Sequence, residues 1–132
     1  FMIYANPIQG VQRISMLGET ITDDPSGIRG LERYNNYKNV LTKKYGEPAD
    51  AYEYQGEDLY RGADEFYECM DHPGCGTYMS IFQKDGAVVR VELNSTGKKG
   101  RGWVSIMYQG PQFQNALDAH EASQADQELD SL

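Results

Sequence analysis

Apolar and polar positions alternate most regularly in "AVVRVEL" (87–93), where Val89, Val91 and Leu93 point one way and Arg90 and Glu92 the other. That period of two predicts a half-buried strand. "TYMSIF" (77–82) reaches it through Lys84-Asp85-Gly86, a turn signal, and "WVSIMYQ" (103–109) follows after the glycine-rich "STGKKGRG". The three runs predict an antiparallel meander. "VQRISML" and "AYEY" are weaker strand candidates upstream.

Between them the period changes. Leu31, Tyr34, Leu41 and Tyr45 recur at near-helical spacing, with Tyr37 and Val40 alongside. Asp24-Pro25 predicts a cap followed by proline in the first turn. Lys43 and Lys44 suit the carbonyl end of the helix, Gly46 suits the left-handed position beyond it, and Pro48 prevents continuation. Pro111 is expected to open a short last helix with Phe113, Ala116 and Leu117 inward. The acidic stretch 121–132 has no apolar face and is expected to fray. The prediction is one α+β domain over residues 1–120, a helix packed on an antiparallel β-sheet. Its core is expected around Leu41, Tyr45, Val89, Val91, Val104 and Ile106, with Trp103 also inside.

A chain of 132 residues can bury one core without help. No apolar run approaches the ~18 residues of a membrane span. The chain begins at Phe1 rather than methionine, so a processed product is expected, with any lipid anchor preceding residue 1.

Twenty acids face twelve bases. Residues 47–71 hold nine carboxylates and one base, Arg61. Such a surface repels phosphate backbones, which disfavours nucleic acid as a ligand, and it suits a basic protein partner. Solubility is the plainer use of the same charge.

Candidate chemistry concentrates in "ECMDHPGCG" (68–76), which holds both cysteines of the chain, Cys69 and Cys75, around His72. A zinc site normally takes four ligands, and Cys69, His72 and Cys75 supply three. A disulfide needs only Cα atoms about 4.4–6.8 Å apart, and a His-Pro-Gly turn brings the ends of the segment together. The disulfide is favoured, a metal site on the same three residues is the alternative, and free core thiols come third. As a nucleophilic pair, a cysteine and a histidine three residues apart in a tight turn seldom meet productively. No Gly-x-Ser-x-Gly or His-Glu-x-x-His motif is present, so no enzyme and no cofactor are expected.

"TGKKGRG" (96–102) could cradle an anion, but it lacks phosphate-loop spacing and reads first as a solvated loop. Asp23-Asp24, Glu57-Asp58 and Asp64-Glu65 do not follow the alternating pattern of a calcium loop. Asn94-Ser95-Thr96 formally matches a glycosylation acceptor.

Taken together, "YNNYKNVLTKKYGEP", "GCGTYMSIF", "VVRVEL" and "GRGWVSIMYQGP" resemble a family of small secreted or lipid-anchored proteins of Gram-negative bacteria, over about residues 28–117. The resemblance implies an α+β domain in the periplasm or beyond, and brings no activity with it. The turn Cys69-x-x-His72-x-x-Cys75-Gly76 is similar to one in periplasmic inhibitors of vertebrate-type lysozyme, where a disulfide-closed Cys-x-x-His-x-Cys-Gly turn enters the enzyme cleft. This turn is one residue longer. The resemblance implies an inhibitor or immunity-type binding module in which Asp71, His72, Pro73 and Gly74 contact a basic envelope enzyme such as a cell-wall hydrolase. A structural envelope component is the remaining alternative.

Overall fold

The sheet is organised around its most strictly alternating strand. In the computed structural model, which describes residues 2–6, 10–56 and 60–111 and side chains from Arg13 onward, six strands form one antiparallel sheet. They are β1 (Met2–Asn6), β2 (Gly10–Leu17), β3 (Asp50–Tyr54), β4 (Thr77–Lys84), β5 (Ala87–Asn94) and β6 (Trp103–Gln109), in the order β1-β2-β6-β5-β4-β3. Two helices complete the described fold, α1 (Ile28–Tyr45) and α2 (Phe66–Asp71). The fold class is α+β. The helix expected at Pro111, with Phe113, Ala116 and Leu117, lies outside the described residues, as do Glu57-Asp58 and the tail 121–132.

The registers bring the apolar positions of neighbouring strands onto one face. Val89, Val91 and Leu93 pair with Tyr108, Ile106 and Val104 of β6, and Val89 and Val91 pair with Phe82 and Ser80 of β4. Helix α1 lies on this face, against β4, β5 and β6. Tyr34 and Leu41 are buried there, while Leu31, Tyr37 and Tyr45 pack at the margins. Val40, expected beside them, is 63% exposed. At ~100° per residue it sits about 120° round the helix from Tyr34, on the solvent side.

Of the expected core, Leu41, Val89, Val91 and Val104 are buried, and Tyr45 and Ile106 pack against the cluster. Phe66, Tyr67 and Phe82 belong to it as well. Trp103 does not. It precedes the buried Val104, so strand alternation turns it to the other face, where it is half-buried. Ser80 is polar beneath the helix, and the Tyr34 hydroxyl 2.7 Å from its Oγ satisfies it.

The predicted turn between β4 and β5 is a two-residue hairpin. Asp85 and Gly86 both have positive φ, 52° and 84°, between the paired Lys84 and Ala87, the combination a tight hairpin matching strand twist requires.

The start of α1 differs from the expectation. Its first helical residue is Ile28, preceded by Gly27 at φ 77°, so Pro25 stands outside the helix. Asp24 nevertheless performs the capping chemistry. The Gly27 N–H bonds the Asp24 carbonyl, folding residues 24–27 into a turn. This carries the Asp24 carboxylate back over the helix end, where it accepts from the N–H groups of Arg29 (3.1 Å) and Gly30 (3.0 Å). These are two of the donors that every helix start leaves unpaired.

Candidate functional site

Helix α2 and the turn after it carry the cysteines. Cys69 and Cys75 form a disulfide with Cα atoms 5.2 Å apart. Both residues are buried, and the Gly56 N–H points at Cys69 Sγ from 3.3 Å. Bonded sulfurs offer no thiolate, so neither the metal site on Cys69, His72 and Cys75 nor the free-thiol reading holds for this form of the protein. A Cys–His nucleophile is ruled out on the same ground.

The turn is fixed from within. The His72 N–H donates to the Cys69 carbonyl (3.1 Å) and the Cys75 N–H to the His72 carbonyl (3.0 Å). Gly74 takes φ 87° at the bend. Asp71, Pro73 and Gly74 are exposed at the tip, and His72 is half-buried with its ring edge-on to Tyr60, centroids 5.9 Å apart. The turn sits beyond the end of β3 rather than along the side of the sheet, with Gly76 packed against the Tyr54 carbonyl.

Tyr60 itself has φ 55°, an uncommon backbone for a bulky residue. It borders a cleft of about 270 Å³ bounded by Ser26, Gln55, Arg61, Phe66 and Cys69. Tyr52 and Tyr54 point to one face of β3, and with Tyr60 they are the three exposed tyrosines of the described surface, at 47%, 37% and 41%. No pattern marked them in advance beyond the ten tyrosines in the chain.

The acidic stretch is less bare in space than in sequence. Lys99, from the β5–β6 loop, reaches the Asp64 carboxylate at 3.0 Å and Glu68 at 3.7 Å. Its hydrogen bond and charge hold the Asp64 carboxyl below the usual carboxylate range. Lys38 pairs with Glu53 at 2.7 Å. Glu47, Asp50 and Asp71 stay exposed.

The other sequence candidates are engaged structurally. Asp24 accepts three hydrogen bonds, the third from the Tyr67 hydroxyl, and Glu65 accepts from the Gly62 N–H. The Asn94 amide donates to the Glu92 carbonyl and to Ser105 Oγ, closing the start of the β5–β6 loop.

The site is thus a covalently closed turn beside the exposed Tyr60, on an α+β scaffold. Comparison of the chain with protein-family models, curated proteins and solved structures finds no match.

Proposed function

We propose that the protein is an exported, non-enzymatic binding module that holds a protein partner through the turn from Cys69 to Cys75. The partner is a basic envelope enzyme of the cell-wall hydrolase class, and the module acts as its inhibitor or immunity-type protein. One observation carries the reading: the turn is fixed by a disulfide and two internal hydrogen bonds while Asp71, Pro73 and Gly74 stay exposed at its tip. Order imposed beforehand need not be supplied on binding, which favours affinity at a small contact. Tyr60 beside His72 adds a side chain of the kind that anchors protein interfaces. Glu47, Asp50 and Asp71 would quicken encounter with a cationic enzyme.

Calorimetric titration against a vertebrate-type lysozyme tests the proposal. Saturable binding that weakens about tenfold or more in His72→Ala and Asp71→Ala, but not in Lys98→Ala, supports it. Absence of binding by the parent protein removes this enzyme class as the partner. Undiminished binding by His72→Ala and Asp71→Ala together removes the turn as the contact.

A further inference from the structure

The opposite end of the β5–β6 loop carries a second site, of different chemistry. Thr20, Thr22, Thr96, Lys98, Arg101 and Trp103 line a cleft of about 400 Å³. On a chain of formal net charge −8, this cleft holds two cations and, among the described residues, no carboxylate. Neither Lys98 nor Arg101 has an ion pair among those residues, whereas their neighbour Lys99 is committed to Asp64 and Glu68. A third cation stands behind the wall, since the Arg29 guanidinium donates to the Thr22 carbonyl. Asp23 borders an adjoining, smaller cleft that Lys98 and Arg101 also line, and it is absent from the lining on the Trp103 side.

The walls are held in place before any ligand arrives. Ile21 and Gly102 exchange backbone hydrogen bonds at 2.7 and 3.1 Å, and the Asp24 N–H donates to the Gly100 carbonyl at 3.0 Å. The Ser95 hydroxyl donates to the Tyr67 carbonyl while accepting from the Gly97 N–H. The Arg101 N–H closes a turn onto the Lys98 carbonyl. The cations therefore project from a braced loop, and Trp103 stands half-buried at the start of β6.

From this arrangement we infer that the cleft binds a saccharide carrying one anionic group on or beside the ring, such as a uronic acid. An indole face attracts the weakly positive C–H face of a sugar, and the three threonine hydroxyls can exchange hydrogen bonds with ring hydroxyls. Lys98 and Arg101 supply charge-assisted bonds to a carboxylate. Lys98 and Arg101, without an ion pair among the described residues, can together serve the two oxygens of one carboxylate. A polyphosphate or nucleic-acid strand would meet the net negative charge of the whole molecule. The inference does not depend on the turn at Cys69–Cys75.

Trp103 is the sole tryptophan of the chain, so its fluorescence reports the cleft directly. The probes are galacturonate, its methyl ester, inorganic phosphate and adenosine monophosphate, with calorimetry as the second readout. The expected result is saturable binding of galacturonate, with the ester, phosphate and the nucleotide each about tenfold weaker or worse. The Lys98→Ala/Arg101→Ala protein should lose about tenfold or more in affinity at unchanged melting temperature, and His72→Ala should bind like the parent. No saturable binding of galacturonate, equal binding of its ester, or equal binding by the double variant overturns the inference. Equal or stronger binding of phosphate or adenosine monophosphate also overturns it, the first reducing the site to a bare anion hole and the second making it a nucleotide site.

Discussion

The Tyr67 hydroxyl donates a 2.7 Å hydrogen bond to Oδ2 of Asp24, forty-three residues earlier in the chain, and both side chains are buried. The bond joins the turn before α1 to α2, beneath the β5–β6 loop. A Cβ at Gly102 would lie 2.3 Å from the Tyr67 ring, so that loop crosses Tyr67 only with glycine there.

Removing either partner should therefore loosen three segments together. Tyr67→Phe leaves one carboxylate oxygen short of a donor and should cost about 1–3 kcal/mol. Asp24→Ala also orphans the N–H groups of Arg29 and Gly30 and should cost more. Urea unfolding of the two variants measures this, and equal stability of Tyr67→Phe and the parent would refute the role given to the bond.

Burial pushes the Tyr34 hydroxyl up to about 12, with nearby Glu53 adding to the shift and the Ser80 hydrogen bond opposing it. Burial and the Asp24 carboxylate push Tyr67 up as well. An unfolded tyrosine ionises near 10. The folded state keeps the neutral form, so this stability is fully present below about pH 10 and is lost as pH rises through about 12. Urea midpoints should hold to about pH 9.5 and then fall. In Tyr34→Phe the fall should be shallower, and shallower still in Tyr34→Phe/Tyr67→Phe.

The core assignment separates two valines. Val91 is fully buried and Val40 is 63% exposed. Val91→Ala should lower stability by about 1–4 kcal/mol, through lost burial and the cavity left behind. Val40→Ala should change it by less than about 0.5 kcal/mol. Comparable losses in thermal melts would mean that the helix face has been misassigned.

Alkylation of the folded protein without reductant should add no label by intact mass, because both sulfurs are bonded. Cys69→Ser/Cys75→Ser should cost about 2 kcal/mol, the entropy of closing so short a loop. Two labels on the native protein would contradict the disulfide.

What the sequence disclosed depended on how local the determining interaction is. The end of α1, the Asp85-Gly86 hairpin and the alternation of β5 rest on neighbours a few residues apart, and each lies where predicted, although Gly46 ends the helix at φ 87° and ψ −173° rather than in the left-handed helical region. Asp24 caps α1 as its place in the sequence suggests, but from three residues before the N-cap Gly27. The turn that swings its carboxylate over the helix depends on Gly27 and on Tyr67, far along the chain. Helix α2, at six residues, is too short for its period to stand out, and tertiary burial of Phe66, Tyr67 and Cys69 holds it. Residue type alone puts Trp103 inside, but its strand parity relative to the buried Val104 turns it to the other face. The cations of "TGKKGRG" were visible too. That Lys99 turns toward α2, while Lys98 and Arg101 face the threonines and Trp103, is a property of the closed loop alone.

The strand order has a consequence in time. Hairpin pairing links β4 to β5 and β5 to β6 within about thirty residues, whereas β2 pairs with β6 from the other end of the described chain, Arg13 opposite Gln109. Closing so long a segment before any contact compensates for it is entropically unfavourable. The meander should therefore assemble first as a template, with β2 docking onto it last. Pulse-labelled hydrogen exchange during refolding should find the β5 amides protected before those of β2, and the reverse order would mean that the long-range pairing nucleates the fold.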